Sequence, residues 1–398
     1  IVWRDDRDGN TEVYYEKLNN NGNTLVNDTR LTFNSADSEV PSLATDNQGN
    51  VHIAWKDNRN GNAEIYYKKL NNNGNTLVND TRLTSNSAVS EGPSIAIDTQ
   101  GNLHIVWDDN RDGNYEIYYE KLNNNGNTLV SNRRLTYNAS SSLFPVISAD
   151  NQGNVHIAWD DYRDGNFENY YKKLDNNGNT LVNDRRLTFN SAVSGNPDIS
   201  TDNQGSIHLV WHDNRDGNYE IYYKKLNNNG NTLVNDLRLT FNSAISFSHS
   251  ISTDIQGNVN IAWYDERDGN EIYFEKLDNN GNTLVNDTRL TFDFGAEDSP
   301  DISTDIQGNV HVVWQDSRDG NNEIYYKRSF SQPSIFIEGN ASPGSTIKFH
   351  LVDPSHPGAP YFLAFAFGTS PGLILPDGRV IPLNYDDLLL LSLNNPAS

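Results

Sequence analysis

The chain has 398 residues, no cysteine, no methionine and a formal net charge of −23 at neutral pH. Those numbers exclude a disulfide framework and thiolate metal sites, and they argue against a nucleic-acid partner, which needs clustered Lys and Arg. The longest apolar runs, such as those at Tyr361–Phe367 and Leu388–Leu391, are far too short to span a bilayer.

So acidic a chain suits a protein of salty or extracellular surroundings, and the expected location is the extracellular space or the cell surface. Ile1 already stands where Ile53 stands inside the apolar run Val51–Trp55. The natural start is therefore expected upstream.

From Trp3 onward one unit repeats. Its anchors are Trp3, Trp55, Trp107, Trp159, Trp211, Trp263 and Trp314, spaced by 52 residues and finally by 51. A period of this size signals a solenoid or a propeller. One copy shows its parts. Pro93–Asp98 reads as a short strand of small and β-branched residues, and a turn leads to Leu103–Trp107, where alternate residues share a face. A polar loop, Asp109–Asn114, carries glycine at its tightest point. Glu116–Leu122 is a third strand, Asn123–Asn127 another turn, and Thr128–Thr136 a fourth, more polar strand. Four antiparallel strands graded from apolar to polar describe a propeller blade, and constant unit length favours a closed ring. The expected fold is all-β: a seven-bladed propeller over 1–330.

The first strand type and the fourth each occur six times, against seven for the other two. Blade one is thus expected to lack its innermost strand and blade seven its outermost, and a segment before Ile1 is expected to supply both. After about Ser331 the period ends. Residues 331–398 read as a small β module, with strands at Ser345–Val352, Tyr361–Phe367 and Arg379–Leu383, and possible truncation at Ser398.

Within the repeat, Leu70-Asn-Asn-Asn-Gly-Asn-Thr-Leu77 can be laid on the Asp-box, S-x-D-x-G-x-T-W. Gly74 and Thr76 match, and Asn72 stands for the aspartate. Over Ile1–Arg328 the units therefore resemble degenerate Asp-box repeats of sialidase-like propellers. The resemblance implies a turn whose side chains satisfy its amides, and it implies no activity. Sialidase chemistry needs unique arginines, whereas Arg7, Arg59, Arg111 and their equivalents recur in every blade. The module after the repeats, with Leu375-Pro-Asp-Gly-Arg379, resembles a stretch found beside repeat domains in secreted bacterial proteins.

The charged loop allows two readings. As a calcium loop it would use Asp109, Asp112, Asn114 and Glu116 as oxygen ligands, with equivalents in each blade. As a structural turn it would pair Arg111 with neighbouring carboxylates, and no cofactor is then expected. His52, His104, His156, His208 and His311 read as hydrogen-bonded histidines between blades.

A specific site belongs where near-identical copies diverge. The residue after each tryptophan runs Arg4, Lys56, Asp108, Asp160, His212, Tyr264 and Gln315, and the loop before the first strand varies too, as in Ser90-Glu-Gly92 and Ser194-Gly-Asn196. Both sets should meet on one rim. The first functional expectation is a non-catalytic binding and scaffold propeller whose rim contacts a glycan or an extracellular protein, with Tyr264 and His212 stacking and hydrogen bonding to a sugar. The alternative is a sialidase-like glycoside-processing enzyme with Asp108 and Asp160 as catalytic carboxylates. On a ring of ~10 Å radius they would lie roughly 9 Å apart, within the window for inversion.

Overall fold

A computed structural model describes residues 1–292 and 297–329, and beyond them only the strands at 334–338, 348–352, 361–365, 373–374, 380–381 and 389–393. The chain divides into two compact units, Ile1–Phe330 and Ser331–Ser398.

The first unit is a seven-bladed β-propeller. Among the described residues, five blades carry four antiparallel strands each and the first and last carry three. Blade three is representative: Ser90–Ile97 lies innermost, followed by Leu103–Asp109, Glu116–Leu122 and the outermost Thr128–Arg134. Among the described residues, blade one, Val2–Arg30, has no innermost strand and blade seven, Glu297–Ser329, no outermost one. These two blades meet through Asn20 Nδ2, 3.2 Å from both Asp305 Oδ2 and Gln307 Oε1, and through Arg328 to Asn21 Oδ1.

The core sits between blades, because each blade is a sheet whose two faces must both be covered. In one such layer Val106, Ile117 and Tyr119 of blade three pack against Ile157, Trp159 and Leu174 of blade four. Consecutive lysines on the third strand stitch the layers in both directions. Lys68 donates to Leu31 O of the blade before (2.7 Å), and Lys69 to Asn124 O of the blade after (2.9 Å). Their aliphatic stems cover apolar surface while the ammonium groups reach backbone oxygens.

The repeated motif is a fastening. In blade two, Asp57 accepts from Trp55 Nε1 (2.9 Å), Ser38 Oγ (2.9 Å), Arg59 Nε (2.8 Å) and the Arg59 backbone N–H (2.9 Å). The Arg59 guanidinium then stacks on Tyr66, 4.4 Å from the ring centroid. The same ties recur around the ring, which is why the tryptophan, aspartate and arginine hold their places.

Two details differ from the sequence reading. The histidines bond within their own blade: His52 Nδ1 meets Tyr67 Oη at 2.8 Å and His52 Nε2 meets Asp46 Oδ2 at 3.4 Å. In the third turn Asn71, one residue before the position read as the Asp-box aspartate, accepts the N–H groups of Asn73 (2.9 Å) and Asn75 (3.0 Å). Asn72 is instead the acceptor for Lys17 of blade one.

In the second unit, 334–338 pairs with 348–352, 361–365 with 389–393 and 373–374 with 380–381, all antiparallel.

Candidate functional site

The innermost strand begins earlier than its sequence suggests. The divergent residues read as a loop belong to the strand itself, which starts at Ser38, Ser90, Ser142, Ser194 and Ser246 and holds a bulge. The bulge residue takes a left-handed backbone: Val40, Phe144, Asn196, Ser248 and Ser299 have φ between 49° and 55°, and Gly92 has φ 60°. Such a conformation costs energy in a β-branched or bulky residue, so propensity gives no hint of it.

Register joins the two variable sets on one rim. Lys56 pairs with Glu39, Asp108 with Glu91, Asp160 with Leu143, His212 with Gly195, Tyr264 with Phe247 and Gln315 with Asp298. The bulge also aims a backbone N–H at the rim residue of the preceding blade. Phe144 N–H reaches Asp108 Oδ1 at 3.3 Å, and Asn196 N–H reaches the two oxygens of Asp160 at 2.8 and 2.9 Å.

The rim is not uniform. Across blades one to three it is a ladder of ions: Arg4 lies 3.7 Å from Glu39, and Lys56 lies 2.8 Å from Glu39 and 3.9 Å from Glu91. Then the ladder stops. Asp108 is 2% exposed and Asp160 5%, and no cation pairs with either. Burial pushes both carboxyls up to about 8; at Asp108 the charge of Glu91 adds to burial, and at Asp160 the Asn196 N–H works against it.

Blades five and six each add an imidazole. His212 is half-buried with Nδ1 unpartnered, and burial pushes it down to about 4. His249, where other innermost strands have Pro41, Pro93, Pro145, Pro197 and Pro300, is buried with neither nitrogen in a well-formed hydrogen bond. Their rings lie 5.9 Å apart, and Tyr219 meets His212 edge-on at 5.0 Å. The sequence reading passed over His249, although a lone break in a run of prolines was the available signal. Tyr264 is 6% exposed, covered edge-on by Phe247 at 4.7 Å, with its hydroxyl on Glu266 at 3.3 Å. It offers no free stacking face. Gln315 is half-buried on the rim of blade seven.

The oxygens considered for calcium are engaged by the chain. Asp109 accepts from Arg111 Nε (2.8 Å) and Ser90 (2.7 Å), and Arg134 lies 2.9 Å from Asp112 and 2.7 Å from Glu116. Asn114 turns its Nδ2 to Glu116 (3.0 Å) and Ser140 O (2.7 Å). Among the described residues no cluster of three or more His, Asp or Glu is arranged to hold a metal ion. A cleft of about 530 Å³ between the outer strands of blades four and five is lined by Arg185, Arg186, Arg215, Lys224 and Asp236. Its cations are already paired: Lys224 and Arg215 each with Asp236 at 2.8 Å, Arg186 with Glu168 at 2.8 Å, and Arg185 with Asn231 Oδ1 at 3.1 Å.

No known protein family and no curated protein matches the sequence. Solved structures do match the fold. A protein of unknown function from Dyadobacter fermentans aligns at 9% identity over 74% of this chain and 94% of its own, with a TM-score of 0.53. An α-L-arabinofuranosidase of Fusarium graminearum aligns at 9% identity over 73% of this chain and 92% of its own, TM-score 0.52. An α-L-arabinanase of Penicillium chrysogenum, solved with arabinobiose, aligns at 11% identity over 73% and 93%, TM-score 0.51. Both of these named enzymes align at TM-scores above 0.5, as does a second structure of the Fusarium arabinofuranosidase, solved with arabinobiose. That corrects the first expectation, a non-catalytic binding and scaffold propeller, in favour of the enzymatic alternative.

Proposed function

We propose that the protein is a glycoside hydrolase whose reaction centre lies on the rim at blades three to five, with Asp108 and Asp160 as its paired carboxyls. One observation carries the reading: two carboxyls at the mouth of the ring are held without a cation and pushed up to about 8. A carboxyl that keeps its proton at neutral pH can pass it to the leaving oxygen as a glycosidic bond breaks. Only blades three and four carry aspartate after the tryptophan, so the seven-fold repeat is broken there. Asp108, with Glu91 beside it, is the general acid, and Asp160 faces the reacting carbon from the next blade.

The substrate class is a glycan. L-arabinose-containing glycans are the first to offer, because an arabinofuranosidase and an arabinanase share the fold. The setting is extracellular or at the cell surface, as the acidic composition suits. We take the repeats as degenerate Asp-box repeats on the strength of Gly74 and Thr76, and residues 331–398 as a small β module. No metal enters the reading, because the Asp-Gly-Asn loops are tied by arginines.

The test is a panel of arabinan, arabino-oligosaccharides and 4-methylumbelliferyl glycosides, sialoside included, offered to the wild type and to Asp108→Asn and Asp160→Asn. Cleavage by the wild type that either substitution abolishes supports the reading. No cleavage of any panel member, or unchanged cleavage by both variants, contradicts it.

A further inference from the structure

Gly195 is the one small residue in its ring of equivalents. Glu39, Glu91, Leu143, Phe247 and Asp298 fill the same position in other innermost strands. Its φ is not in the left-handed region, so the backbone does not call for glycine. Space does. A Cβ there would lie 3.1 Å from Asp160 Oδ2 and 3.7 Å from His212 Nε2. Two chemically different groups from adjacent blades thus face the volume of one missing side chain, and a single oxygen atom placed in it reaches both.

Building on the hydrolase reading above, we propose that the gap at Gly195 holds the attacking water, that His212 Nε2 takes its proton, and that Asp160 orients it. The need for such a group follows from the carboxyls themselves. With Asp108 and Asp160 both protonated at neutral pH, neither is free to act as base. His212 is neutral there, because burial holds it down to about 4. The titratable groups around it are Asp160 across the gap, His249 and Tyr219 against its ring, and Asp213 behind it. His249 is pushed down to about 3, first by burial and then by His212, so it brings no charge to the pair at neutral pH. Asp160 is fixed by the two contacts from Asn196 N–H and can receive the water's second proton in a hydrogen bond.

In the step, the water oxygen bonds to the anomeric carbon while the bond to the leaving oxygen breaks. The water's proton goes to His212 Nε2, and the Asp108 proton goes to the leaving oxygen. The products are the free sugar, a shortened glycan, an imidazolium and a carboxylate; solvent then returns the proton from His212 to Asp108. A single displacement inverts the anomeric carbon.

The test has an arm that does not depend on turnover. Diethyl pyrocarbonate at pH 6.5, read site by site by mass spectrometry, should modify His212 in the wild type and not in Gly195→Leu, which copies Leu143 of blade four and should fold. The second arm uses the panel substrate the wild type cleaves. NMR of the first-formed sugar should show inversion. His212→Ala should lower kcat by about 10²- to 10⁴-fold with KM little changed. Sodium azide, a nucleophile that needs no base, should restore cleavage in that variant and yield a glycosyl azide, an outcome that a packing role for His212 would not produce. An unmodified His212 in the wild type, retained anomeric configuration, or His212→Ala turnover within about threefold of wild type overturns this assignment while leaving the hydrolase reading in place. A wild type that cleaves nothing on the panel ends both.

Discussion

Asp108 and Asp109 are neighbours in sequence, both buried, and titrate in opposite directions. Asp109 points into the fastening layer, where burial is outweighed by Arg111, Ser90 and the Arg111 backbone N–H, and it is held below the usual carboxylate range. Asp108 points to the rim, has one long N–H contact from Phe144, and is pushed up to about 8. Burial is common to both, so burial alone does not decide the charge. The number of donors that reach each carboxyl does. The repeat spends its side-chain donors on the fastening layer in every blade and leaves Asp108 and Asp160 on the rim with a neighbouring backbone N–H each.

The comparison can be broken most decisively at the rim. Asp108→Asn or Asp160→Asn should lower kcat/KM by about 10³-fold or more on whichever glycoside is cleaved, with the fold intact by circular dichroism. Asp109→Asn should act the other way round, through folding. It strands the Arg111 guanidinium and the Trp107 N–H, and a loss of about 2–3 kcal/mol is expected in denaturant titration, moderated because Arg111 is partly solvent-exposed. Equal effects of Asp108→Asn and Asp109→Asn on stability would erase the distinction.

A smaller effect concerns pH. The folded chain keeps the Asp160 proton up to about 8, whereas the unfolded chain releases it near the ordinary value of 3.8. Folding therefore binds a proton across that window, and stability falls as pH rises through it, levelling above 8. Asp160→Asn removes the share that Asp160 contributes, so its Tm should exceed wild type by several degrees at pH 9 and match it at pH 4. The smallest expected effect is none. Chelation by EDTA should leave Tm unchanged, since arginines rather than a cation tie Asp109, Asp112 and Glu116. A fall of about 10 °C would turn the fastening loops into ligand cages.

The propeller was legible because tryptophan spacing and strand grading are periodic, and periodicity survives reading one copy at a time. The meeting of the two variable sets was legible for the same reason. What escaped was local and non-periodic. A left-handed backbone at Val40 or Phe144 leaves no mark on composition, so in sequence the innermost strand reads as beginning three residues late, and the N–H groups of its bulge go unseen. The different fates of Asp108 and Asp109 depend on partners more than 18 residues away, such as Ser90 and Phe144. Asn72 was a reasonable reading of the turn, yet the chain satisfies its amides from Asn71. His249 was visible as a break in a regular column of prolines, but only the structure sets it against His212 and shows the space beside Gly195.

The account rests on rim carboxyls that stay protonated where fastening carboxyls are ionised, and aspartate-selective ¹³C labelling measures that directly. Titrated from pH 3 to 10, the carboxyl carbons of Asp108 and Asp160, assigned by their loss in the two asparagine variants, should change near pH 8, while that of Asp109 should already be ionised below pH 4. If Asp108 and Asp160 instead titrate below about pH 5 with the exposed aspartates, the rim holds ordinary carboxylates and the proposed acid is lost.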